Sequence, residues 1–159
     1  MDTIIIDAYN VINSWQKTAA LAKEDMAAAR DFLNDTLQNY ASYQGTYLIV
    51  VYDAYKTDAV KETVDEYENM QIVYTKTRQT ADAYIESLIF QMKDLENIGV
   101  VSSDWTLQKM VISGGLLRIP VSEFVAKIEL IEKQIESKYD KEPQNTSAFL
   151  NPIFKDPLS

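Results

Sequence analysis

Thr3-Ile4-Ile5-Ile6-Asp7, Ile49-Val50-Val51-Tyr52-Asp53 and Val100-Val101-Ser102-Ser103-Asp104 are short runs rich in β-branched residues, and each ends in an aspartate. Branched side chains pack well on a pleated surface, so apolar runs of this length read as buried strands. Strands are predicted at 3–7, 46–53, 71–76, 98–103 and 115–119. Between them, apolar residues recur at helical spacing. In 24–43 these are Met26, Ala29, Phe32, Leu33, Leu37 and Tyr40; in 80–97 they are Ala81, Tyr84, Ile85, Leu88, Ile89, Met92 and Leu95. A shorter helix is predicted at 105–112. Another is predicted at 121–138, where Phe124, Val125, Ile128, Ile131 and Ile135 follow Pro120 and a capping Ser122. Strand and helix periods that alternate in this way predict βα units around a central, mostly parallel sheet, an α/β fold. The acidic segment 57–69 has no clear period.

The chain has 159 residues, 47% of them hydrophobic, which is enough for one compact domain. Residues 1–139 are assigned to that domain. Residues 140–159, where Pro143, Pro152 and Pro157 fall and both periods fade, are assigned to an irregular tail. The tail's apolar cluster of Phe149, Leu150, Ile153 and Phe154 is expected to dock on its own domain. The chain contains no cysteine and no histidine, which excludes thiol nucleophiles, disulfides, the usual zinc sites and every histidine-based catalytic triad. A net charge of −9 argues against a broad basic face for coating DNA, RNA or membrane. Neither a signal peptide nor a membrane span is expected, and the cytoplasm is the expected location.

In a parallel sheet the carboxyl ends of the strands lie on one edge, and ligands of open α/β sheets bind in the crevice there. Asp7, Asp53 and Asp104 fall at that edge if their strands are neighbours. Asp82 joins them if the helix beginning Thr80-Ala81-Asp82 starts there, with Glu86 one turn further on the same face. Any one of these acids also suits a helix cap or a turn. Carboxylates gathered in one cleft repel one another, and a divalent cation is their natural counter-charge. Oxygen-only ligands favour Mg²⁺ or Mn²⁺ and suit metal-assisted hydrolysis of a phosphodiester.

Asp7-Ala8-Tyr9-Asn10, Val51-Tyr52-Asp53-Ala54-Tyr55, Thr75-Lys76 followed by Thr80-Ala81-Asp82, Ser102-Ser103-Asp104 and Gly115-Leu116-Leu117-Arg118 occur in that order. Over about residues 3–135 they resemble the successive motifs of YacP-like NYN-domain proteins, part of the wider PIN-like nuclease group. Ala8 and Tyr55 stand where the family more often has glycine and histidine. The resemblance implies a three-layer α/β/α PIN-like domain and a metal-dependent endoribonuclease that associates with the ribosome and cuts mRNA in the A site. It also implies that Asp7, Asp82 and Asp104 form the metal centre. Asn10 would then orient Asp7 or contact the scissile phosphate, with Asp53, Glu86, Thr80 and Ser103 supporting or extending the acidic centre.

Lys76, Arg78, Lys109 and Arg118 are candidates for a local phosphate-binding rim, although any single one also suits a solvated surface. Tyr9, Trp15, Tyr55 and Trp105 lie beside the motifs, where aromatic rings either stack on unpaired bases or pack in the core. Core packing is the commoner role, so they do not count among the candidate site residues. Two other functions compete with the nuclease. One is a noncatalytic RNA- or ribosome-binding module of the same fold, against which the intact acids count. The other is a phosphoacceptor domain using Asp53, which lacks a convincing lysine after the last strand.

Overall fold

The computed structural model describes residues 2–54 and 61–141, with side chains described as far as Tyr139. Six strands form one sheet: β1 (Thr3–Asp7), β2 (Tyr47–Tyr52), β3 (Thr63–Glu66), β4 (Met70–Tyr74), β5 (Ile98–Val101) and β6 (Leu117–Ile119). Six helices accompany them: α1 (Ala8–Ser14), α2 (Gln16–Glu24), α3 (Met26–Gln44), α4 (Ala81–Met92), α5 (Trp105–Ser113) and α6 (Val121–Lys141). The spatial order is β3-β4-β2-β1-β5-β6, parallel throughout except for the edge strand β3, which runs antiparallel to β4.

Leu48 to Tyr52 are all buried, as in a strand covered on both faces. Side chains alternate between those faces. On one face Ile5, Ile49, Val51 and Val73 join Ala81, Ile85 and Ile89 of α4 and Leu107 and Val111 of α5 in a single cluster. On the other, the Tyr52 hydroxyl donates to Asn34 Oδ1 of α3 at 2.7 Å, and the Tyr40 ring of α3 stands 5.5 Å from Phe124. The result is the three-layer α/β/α arrangement. From β1 the sheet grows through β2 and β4 on one side and through β5 and β6 on the other. Such a reversal opens a crevice at the carboxyl ends of the two strands that flank it.

The structure departs from expectation in three places. The stretch from Ala8 to Glu24, for which no element was predicted before residue 24, forms two helices, because the backbone breaks to extended values at Trp15 (ψ 117°). Thr18 ties that break together, donating to the carbonyls of Ile12 at 2.9 Å and Trp15 at 3.0 Å. β3 lies inside the acidic 57–69 segment; all four of its residues are exposed, so no alternation marks it. Finally, α4 stops at Met92 rather than 97. Leu95, which continued the apolar period, is 58% exposed, and Asn97 adopts a left-handed φ of 60°.

By its contacts the chain divides into two units, residues 1–128 and 129–159, so the division falls inside α6. The described part of the second unit is the remainder of that helix. The apolar cluster assigned to the tail, from Phe149 to Phe154, lies outside the described residues, as does Tyr55.

Candidate active site

Asp7 is the last residue of β1, and it is 6% exposed. It occupies the N-cap position of α1 without making a capping hydrogen bond, so the cap reading does not account for it. Burial pushes its carboxyl up to about 7, helped by the negative charges of Asp82 and Asp53 and opposed by the nearby Asn10 backbone amide. Asp82, in the first turn of α4, is raised too, first by burial and then by Asp104. No Lys or Arg forms an ion pair with Asp7, Asp82 or Asp104 among the described residues.

The acids meet in a chain of pairs. The carboxyl of Asp7 is raised by Asp82, and that of Asp82 by Asp104. Like charges that act on one another in this way favour protonation when nothing else neutralises them. Among the described residues, no three acids already close around a single point. By chemistry Asp7, Asp82 and Asp104 are a hard, all-oxygen donor set with unrelieved negative charge, and such a set fits a divalent cation that draws the pairs together.

The surrounding bonds fix where each acid stands. Asp53 accepts from the Ala81 backbone N–H at 3.2 Å, so the carboxylate that ends β2 anchors the helix carrying Asp82. Thr80 caps the same helix, accepting from Ala83 N at 3.0 Å. Thr75 closes the connecting loop, receiving the Ala54 N–H at 2.8 Å and donating to the Gln79 carbonyl at 2.7 Å. Asp104 is in part the ordinary cap that its sequence position allowed, with Oδ1 accepting from Leu107 N at 2.8 Å.

Asn10 turns neither to Asp7 nor toward open solvent with its oxygen. That oxygen accepts from the Ser103 backbone N–H and the Ser103 hydroxyl, each at 2.7 Å, and from Ser102 Oγ at 3.4 Å. Ser102 Oγ in turn receives Asp104 N at 3.1 Å, and Gln108 donates to the Ser102 carbonyl at 2.7 Å. α1, which follows Asp7, is thereby stitched to the loop that presents Asp104, and the two acids on either side of the crevice are held in register.

Glu86 stands apart from this network. It is exposed on the next turn of α4 and is not among the charges acting on Asp7 or Asp82. Lys76 and Arg78 are exposed on the loop before α4, Lys109 is exposed on α5, and Arg118 is exposed on the edge strand β6 opposite Val100. Sequence reasoning missed Arg30. This half-buried residue of α3 donates from Nη1 to the Tyr9 hydroxyl at 3.3 Å, and Tyr9 in turn feels the charge of Asp53. Tyr9 packs edge-on against Tyr52, which stacks on Tyr74 with ring centres 5.2 Å apart in each pair. The only trace of this cluster in the sequence is the spacing of Arg30 and Asn34, one helical turn apart.

A three-layer sheet whose carboxyl edge gathers acids from β1, β2, α4 and the β5–α5 loop is the architecture of PIN-like nucleases. Within that class the chain belongs to the family of the YacP-like NYN domain, whose model matches residues 4–158. The uncharacterized protein YacP of Bacillus subtilis (strain 168) is 32% identical over 142 residues, which span 89% of this chain and 83% of YacP. Crystal structures of Rae1 (YacP) from Bacillus subtilis superpose with a TM-score of 0.76. One is 29% identical, covering 98% of this chain and 91% of the other; a singly substituted form is 31% identical, covering 91% and 86%. The domain is therefore of a nuclease family.

Proposed function

We propose that the protein is a metal-dependent endoribonuclease that hydrolyses phosphodiester bonds of mRNA, acting in the cytoplasm on the A site of the translating ribosome. The observation that carries the metal-dependent reading is Asp7: a carboxyl pushed up to about 7 first by burial and then by Asp82 and Asp53, with no basic side chain among the described residues paired to it. A protein keeps such a repulsive cluster where a bound ion offsets it. The RNA and ribosome parts rest on the family resemblance.

Asp7, Asp82 and Asp104 would hold Mg²⁺ or Mn²⁺, and such an ion, when bound, polarises a phosphate oxygen and lowers the pKa of a water. The chain's own residues supply the positioning. Asp53 fixes the start of α4, and Asn10 fixes the 102–104 loop, so the acids face one crevice without rearrangement of their supports. Lys76 and Arg78, on the loop leading into α4, offer charge to the RNA backbone at the same edge. No helix among the described residues is long and apolar enough to cross a membrane.

The test is cleavage of a labelled mRNA in a translating extract with Mg²⁺ or Mn²⁺, comparing wild type with Asp7→Asn and repeating both on naked RNA. Wild type cuts and the variant does not; cleavage confined to translation supports the ribosome reading. Absence of cleavage by folded wild type in both settings overturns the proposal in favour of a binding module.

A further inference from the structure

Three of the four aromatic residues beside the motifs, Tyr9, Trp15 and Trp105, lie among the described residues, and they divide sharply. Tyr9 and Trp15 are 4% and 1% exposed and belong to the core, whereas Trp105 is 71% exposed, the highest value among the large hydrophobic side chains described. It is the first residue of α5, directly after Asp104. An indole left in water forgoes the free energy of burial that Trp15 gains in the core. Trp105 has company of the right chemistry. Lys109 and Ile112 follow at i+4 and i+7, both exposed, so one face of α5 presents a large ring at its acid end and a cation one turn on.

We propose that Trp105 is the platform on which an unpaired base of the RNA strand stacks beside the scissile phosphate, with Lys109 holding the backbone on the far side of that base. This rests on the nuclease reading for the identity of the ligand, and it adds a requirement that the carboxylates alone do not impose. The strand must be unpaired at the site, because a base within a duplex has no free face to offer. A ring and a cation one helical turn apart match the alternation of base and phosphate along a single strand.

The experiment measures binding separately from cleavage. Fluorescence-labelled ten-nucleotide oligouridylate and oligoadenylate, and a matching oligomer with one internal abasic position, are titrated in Mg²⁺ into the Asp82→Asn protein, which keeps RNA intact. Anisotropy gives affinity and intrinsic emission reports the indole. The expected result is quenching by the complete oligomers, with quenching lost when Trp105→Phe is added, and affinity about ten-fold weaker for Trp105→Ala than for Trp105→Phe. The exposed position leaves folding intact in both, checked by circular dichroism. Quenching absent at the highest RNA concentration, or Trp105→Ala binding as tightly as Trp105→Phe, overturns the proposal. Binding and quenching without any cleavage by wild type would sink the nuclease reading while leaving the stacking platform standing; cleavage indifferent to Trp105→Ala would do the reverse.

Discussion

The two ends of the sheet carry similar residues and differ in what those residues are made to do. At the amino end of β1, β5 and β6 a groove of about 650 Å³ is lined by Asp2, Thr3, Glu96, Asn97, Gly115 and Leu117, among others. Its acids are exposed, so water screens them and nothing holds them against one another. At the carboxyl end Asp7 is buried beside Asp82 and Asp53 and held near neutrality. Unrelieved charge, built in at the cost of stability, sets the proposed functional end apart from the other.

The sharpest way to break this comparison is to remove acids at each end. Asp7→Asn, Asp82→Asn and Asp104→Asn should each lower RNA cleavage about 10²–10³-fold, the scale on which transition-state charge stabilisation is lost. Asp2→Asn and Glu96→Gln should leave the rate within about two-fold. Equal losses at both ends, read in one cleavage assay, would abolish the distinction.

Next in size is Asn10→Ala, expected to cost about 10- to 100-fold in kcat with little change in KM. Its side-chain oxygen holds the 102–104 loop through two 2.7 Å bonds, so its loss lets Asp104 drift without removing a ligand. Ser103→Ala, which leaves the backbone N–H bond in place, should cost less.

The third expectation concerns stability. The unfolded chain releases the Asp7 proton near 3.8, while the folded protein keeps it up to about 7. Folding therefore takes up a proton between those values, and stability falls as pH rises through that window and levels off above it. Asp7→Asn should flatten this fall and be roughly 1–2 kcal/mol more stable than wild type at pH 8, with the two converging below pH 4. Mg²⁺ should raise the stability of wild type at pH 8 and leave Asp7→Asn nearly unchanged. Denaturant melts across pH check both statements.

The smallest effect is expected at the other end. A Cβ on Gly99 would meet Ile119 Cδ1 at 2.7 Å, the far end of a side chain that can rotate. Gly99→Ala should cost about 1 kcal/mol of stability and leave cleavage unchanged.

Much of this division was legible in the sequence. Three strand-ending aspartates and a fourth at a helix start are visible as residues, and the parallel pairing of β1 with β2 and β5 brings the first three to one edge. What the sequence withheld was relational. Nothing in Asp7-Ala8-Tyr9-Asn10 says that the asparagine reaches across 93 residues to Ser103 rather than back to Asp7. Arg30 sits on a helix whose apolar period is read easily, but its contact with Tyr9 depends on how α3 packs against the strand ends. β3 escaped because an edge strand with both faces exposed carries no hydrophobic period, and the break at Trp15 escaped because its stabilising bonds come from the backbone and Thr18.

The most direct test of the central claim is the titration of the Asp7 carboxyl by carbon-detected nuclear magnetic resonance, first metal-free and then with saturating Mg²⁺. The account predicts a metal-free midpoint near 7 that moves several units down when the ion binds. A midpoint in the ordinary aspartate range, indifferent to Mg²⁺, would contradict it and leave the acidic edge a structural feature of the sheet.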